Sequence, residues 1–214
     1  MPEPTDPSLL RPEHFRRQDE TDDDLFYQEA RLVTHIDDPA IRALTSFYET
    51  LLPEGGNVLD LMSSWVSHLP AGTSYRGVTG VGMNARELAV NPRLSERVAQ
   101  DLNRDPTLPF ASGSFDAVIV TVSVQYLTRP VQVFAEVGRV LAPGAPFAVA
   151  YSNRCFPTKA VAIWQALGDR EHAELIGLYF RLSGAFEAPQ AHDISPGPGS
   201  DPMYVVVART PPRA

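Results

Sequence analysis

The sequence carries a single cysteine, Cys155, so no disulfide forms within the chain. One thiol fits a reducing compartment, and a cytoplasmic protein is expected. No apolar run is long enough to span a bilayer, and Met1-Pro2-Glu3-Pro4 lacks the basic and apolar regions of a signal peptide. Positive charge is scarce: 26 acidic residues face 18 Lys and Arg, for a net charge of -8. That balance repels phosphate backbones and no basic patch offsets it, so neither a nucleic acid nor a membrane is expected as partner. Gly-x-Ser-x-Gly, Cys-x-x-Cys, His-Glu-x-x-His and Walker loops are also missing, which leaves hydrolase, zinc and nucleotide-triphosphate readings unsupported. What is present, 214 residues of which 43% are hydrophobic, suffices for one α/β domain with a full core.

The order of patterns is informative. Residues 1–23 are rich in proline and charge and read as a flexible, solvated arm ahead of a domain over 24–209, with a short tail at 210–214. Helical patterns fall at Leu25, Phe26, Ala30 and Leu32, then from Asp38-Pro39 through Leu51. Short apolar runs at 57–61, 77–81 and 115–122 read as buried strands, with a weaker one at 97–100. An amphipathic helix over 131–141 ends at Pro143-Gly144 and leads to a strand at 147–151. Helices at 158–167 and 171–182 follow, then strands at 186–194 and 203–208 around a Gly/Pro turn. Such alternation predicts a mostly parallel sheet with helices on both faces, and the closing strand pair predicts an antiparallel edge.

Leu108-Pro109-Phe110-Ala111-Ser112-Gly113-Ser114-Phe115-Asp116-Ala117-Val118 and Val133-Phe134-Ala135-Glu136-Val137-Gly138-Arg139-Val140-Leu141-Ala142-Pro143-Gly144 are the most specific stretches. They resemble the approach to the fourth strand, and the helix-to-fifth-strand connection, of class I S-adenosylmethionine (SAM)-dependent methyltransferases. That resemblance implies a Rossmann-like seven-stranded sheet, SAM as cofactor and a small-molecule acceptor. It also exposes a departure. After the first strand the family reads Asp-x-Gly-x-Gly-x-Gly, whereas Asp60 is followed here by Met62, Ser64 and Val66 at the glycine positions. Glycine there permits φ > 0 and close approach of backbone to ligand.

Carried over position by position, the resemblance implies a cofactor site of Asp60, Ser63, Ser64, Gly82, Met83, Asn84, Asp101 and Leu102. Gly82 stands where the family has a ribose-gripping acid, while Asp101-Leu102 match its adenine corner. On the acceptor side Tyr126 and Arg154 are the catalytic candidates, with Tyr27, Arg31, Gln125 and Asn153 as substrate contacts. Tyr27, Arg31 and His35 share one face if the first helix extends that far. His35 with Asp37 and Asp38 is too local a cluster for a metal site, and capping is the better reading of those acids. Cys155, between Arg154 and Lys159, would gain reactivity if those cations lowered its pKa; the plainer reading is a small buried hydrophobe. His68 is a further candidate base, against a structural role. Two alternatives to a methyltransferase stay open: a noncatalytic binding or regulatory protein of the same fold, and an enzyme using the remodelled pocket for other chemistry.

Overall fold

A computed structural model describes residues 9–213. Strands alternate side chains between two faces, and the core divides accordingly. Leu59 and Leu61 of β1 (Asn57–Leu61) join Val118 and Val120 of β4 (Ala117–Thr121), and Phe147 and Val149 of β5 (Pro146–Tyr151), in one apolar cluster. Helices α4 (Pro130–Val140) and α6 (Asp169–Ser183) cover it through Phe134, Val137, Ile176 and Phe180. Val58, Ile119 and Ala148 point to the other face, against Leu44 and Tyr48 of α2 (Asp38–Leu51). Both faces are dry, which explains why these strands are almost continuously apolar.

With β2 (Gly77–Gly82), β3 (Glu96–Ala99), β6 (Gln190–Asp193) and β7 (Tyr204–Arg209), the sheet runs β3-β2-β1-β4-β5-β7-β6. Pairing is parallel from β3 to β5 and antiparallel on both sides of β7. The fold is the expected Rossmann-like mixed sheet, with the reversed strand lying one place in from the edge. Strand order switches direction between β1 and β4, and their carboxyl ends open the crevice where ligands collect in such sheets.

Several local expectations change. The first helical pattern yields only α1 (Asp23–Phe26); residues 27–37 cross the strand ends as irregular chain. The later pattern at 158–167 contracts to α5 (Ala162–Gln165). No helix follows β1: residues 62–76 form a loop, so Ser63 and Ser64 cap nothing. Its carbonyls are taken by side chains instead. Asn91 donates to Ser64 O at 2.9 Å, and Arg93 donates to Pro70 O and Thr73 O. A serine-rich stretch containing Pro70 and Gly72 has little helix propensity with which to compete.

Within the segment read as a solvated arm, residues 1–8 lie outside the described residues, while 9–23 lie against the body. Phe15 packs on the larger core cluster, and Ala162 N–H donates to Arg16 O at 2.8 Å. Arg17 binds both oxygens of Asp23 at 2.8 Å, and Lys159, the only lysine in the chain and fully buried, lies 3.1 Å from the same carboxylate. Burial alone would raise the Asp23 pKa, but hydrogen bonds from Arg17, Asn103 and Lys159 hold it below the ordinary value. Composition marks such a segment as mobile because it scores charges as solvated; here Asp19 and Asp23 share a buried lysine more than a hundred residues away.

Asp23→Ala removes the common anion of Arg17 and Lys159, leaving the buried Arg17 without a carboxylate and the buried Lys159 with Asp19 alone at 3.4 Å. Urea unfolding at pH 7 is expected to show a loss of about 3–5 kcal/mol, whereas an exposed control such as Glu13→Ala should change little.

Candidate functional site

The loop leaving β1 presses onto the end of β2. Ser63 N–H donates to Val81 O at 2.7 Å, and its carbonyl oxygen lies where a Cβ on Gly82 would have to stand. Gly82 is therefore fixed by the backbone crossing above it. Two positions beside this junction are strained. Met62, at the first family glycine position, has φ +57°, and the β-branched Val122, just past β4, has φ +49°. Left-handed backbone at a non-glycine residue costs of order 1–2 kcal/mol, and such strain clusters at functional sites. Met62 thus keeps the conformation that suits glycine while adding a side chain to the cavity wall.

These strand ends enclose a cavity of about 280 Å³, close to the lower end of the range for small-molecule sites, roughly 300–1,000 Å³. Its floor is Met62, Ser63, Ser64, Gly82 and Met83; Asp101, Leu102 and Asn103 form one side, and Thr121, Val122, Ser123 and Tyr126 the other. Tyr27, Arg31 and His35 close it from above with Arg154, Cys155 and Phe156. Loop geometry gathers the first three, since no helix connects them.

Most sequence candidates meet here: Ser63, Ser64, Gly82, Met83, Asn84, Asp101, Leu102, Tyr27, Arg31, Tyr126 and Arg154 all line the cavity. Asp60, Gln125 and Asn153 do not. Asp60 follows Val58 in strand parity and turns toward α2, where it is 2% exposed and accepts the Ser63 hydroxyl at 2.6 Å. Burial pushes its pKa up to about 6, against hydrogen bonds from Ser63 and Ser67. Gln125 is buried, with its amide nitrogen donating to Val122 O and Arg154 O. Asn153 is exposed beyond the rim. Asn84 caps α3 (Ala85–Val90) by accepting from Arg86 N–H and Glu87 N–H, and its amide holds Tyr27 O and Gln28 O.

The acceptor-side chemistry is selective. Tyr126 accepts a hydrogen bond from Phe156 N–H at 2.8 Å, and burial pushes its pKa up to about 12. Burial also raises Tyr27 well above the ordinary phenol. Both are therefore hydrogen-bond donors at neutral pH and unsuited to take protons. Arg154 is held at the rim by Asp201 at 2.7 Å. Cys155 has its pKa raised by burial, so the neighbouring cations do not make it a thiolate. His68 lies outside the cavity lining, its pKa lowered to about 4 by burial and by His35. His35 lines the rim edge-on to Phe156 at 5.2 Å; desolvation lowers its pKa, so it is neutral at pH 7 and able to accept a proton. Among the described residues no group of three or more His, Cys, Asp or Glu is arranged to hold a metal, and no helix is long and apolar enough to cross a membrane.

Sequence reasoning missed Glu87. It lies on α3, 9% exposed, and faces the cavity while accepting Ser64 Oγ at 2.6 Å and Arg31 N–H at 2.7 Å. An acid at the third position of a short helix reads as a first-turn charge, and the chain that folds over it is more than fifty residues away in sequence.

Two substitutions probe this construction. Gly82→Ala forces the loop off β2 and is expected to cost about 1–3 kcal/mol, with weakened binding of any cavity ligand. Asp60→Asn keeps an acceptor for Ser63 and removes a carboxylate whose pKa is raised on folding. That group costs stability once pH rises from about 4 through about 6. The variant should therefore gain up to about 3 kcal/mol at pH 8 and lose that advantage below pH 4, as read from thermal melts across pH.

A family model for a methyltransferase domain matches residues 65–149. No curated protein matches the chain. Among solved structures, the cyclase SpnF is 16% identical with a TM-score of 0.62, covering 86% of this chain and 89% of its own. A SAM-dependent methyltransferase from Aquifex aeolicus is 15% identical with a TM-score of 0.59, covering 80% and 91%. Phosphoethanolamine N-methyltransferase 2 of Haemonchus contortus, solved with SAM, is 14% identical with a TM-score of 0.54, covering 79% of this chain and 52% of its own. In sequence over the matched segment, and in fold over about four-fifths of its length, the chain resembles the class I SAM-dependent methyltransferases.

Proposed function

We propose that the chain is a SAM-dependent methyltransferase acting on a small molecule. The observation that carries this reading is the cavity at the β1/β4 switch point, which gathers the adenine-side pair Asp101-Leu102 and the acceptor-side Tyr126 around one space. Its residues suit the cofactor. Met83 and Leu102 offer apolar contact for a flat base, and Asp101 presents a carboxylate whose Oδ1 also accepts from Asn103 and Arg104 N–H. The backbone at Met62 keeps its left-handed turn despite the lost glycine.

SAM, when bound, supplies an electrophilic methyl group; the protein positions the acceptor and receives its proton. Tyr126 and Tyr27 donate hydrogen bonds to an acceptor oxygen or nitrogen, fixing its orientation. His35, neutral at pH 7, is the cavity-lining imidazole available as a general base. The cover formed by residues 23–35 and 154–156 favours a small acceptor over a macromolecular one. The proposed cofactor contacts are Ser63, Ser64, Gly82, Met83, Asn84, Asp101 and Leu102, with Asp60 acting from beneath through Ser63.

The remodelled loop supports a second reading, in which the fold serves other chemistry; a neighbour of this fold is named as a cyclase. Calorimetric titration with SAM separates the two. Binding followed by transfer of a labelled methyl group to a small acceptor supports the first, and a cooperatively melting protein that releases no heat with SAM contradicts it. His35→Ala should lower kcat about tenfold to a hundredfold or more and abolish the acidic limb of the rate profile, which in the wild type falls at a pH below the ordinary histidine range.

A further inference from the structure

Charges around the cavity are almost all paired. Asp23 is matched by Arg17 and Lys159, Arg154 by Asp201, and Asp101 by backbone N–H groups with Arg104 3.9 Å away. Glu87 and Arg31 are the exceptions. No Lys, Arg or His among the described residues comes within salt-bridge distance of Glu87, which receives one neutral donor on each oxygen. The Arg31 guanidinium stacks on Phe26 at 4.5 Å and gives one hydrogen bond to Phe26 O, while its second terminal nitrogen is buried without a partner. These two opposite charges share one wall, tied through the Arg31 backbone, without neutralising each other.

A cavity wall with an uncompensated carboxylate beside an uncompensated guanidinium is costly when empty and complementary to a ligand bearing both signs close together. We propose that Glu87 and Arg31 form a receptor for the α-amino-acid end of the ligand, Glu87 taking its ammonium and Arg31 its carboxylate. Ser64 orients Glu87, so the serine at a family glycine position becomes part of the receptor. The proposal rests on the SAM reading and assigns to side chains a grip that glycine-lined backbone cannot give here.

The test titrates S-adenosylhomocysteine, which has the amino-acid end, and 5′-methylthioadenosine, which lacks it, into the wild type, Glu87→Gln and Arg31→Gln, with melts run on each. Each variant is expected to weaken S-adenosylhomocysteine roughly tenfold to a hundredfold and to leave 5′-methylthioadenosine within about twofold. Arg31→Lys keeps a cation and should recover part of the loss, which guards against a folding defect in Arg31→Gln. Equal losses for both ligands, or unchanged S-adenosylhomocysteine binding in the variants, overturn the receptor while leaving the methyltransferase reading intact. A folded wild type that binds neither ligand overturns both.

Discussion

The crossing of the β1 loop over the end of β2 is the constraint from which the site follows. Ser63 is bound to Val81 by its N–H, and its carbonyl fills the space above Gly82. A side chain at Gly82 is excluded, so an acid cannot arise at the strand end. The nearest element able to supply one is α3, whose Glu87 turns back under the loop to Ser64. Met62 accepts a strained turn at the same close approach, and the Ser63 hydroxyl meets the Asp60 carboxylate that strand parity turns toward α2.

A second constraint closes the cavity from above. Residues 16–35 are pinned at one end by the Arg17–Asp23–Lys159 network and at the other by Asn84, Glu87 and the indole of Trp65, which donates to Val33 O. This strap brings Tyr27, Arg31 and His35 over the strand ends without a helix. The pins differ in kind: the near end is a buried ion network, costly to break, whereas the far end rests on hydrogen bonds from Asn84 and Trp65 and one to the Glu87 carboxylate.

Much of the fold was legible in the sequence because strand and helix periodicity is local. The strands at 57–61 and 147–151 and the helix beginning at Asp38 read directly from apolar spacing. Cavity residues that follow strand ends, such as Met83, Asp101 and Tyr126, were legible through the resemblance, since topology alone places them. Asp60 was misplaced because its direction depends on strand parity, and Gln125 because a polar residue beyond a strand is as readily spent on local carbonyls. Glu87 and the packed segment 9–23 stayed hidden: each is defined by partners remote in sequence.

The central claim is that this altered strand-end cavity holds an adenosyl cofactor. The most direct measurement is a crystal structure of the protein grown with S-adenosylhomocysteine. The nucleoside is expected between Met83 and Leu102, with the amino-acid end beside Ser64 and the strap in place above it. Density for the ligand elsewhere, or an unfilled cavity at saturating concentration, would contradict it.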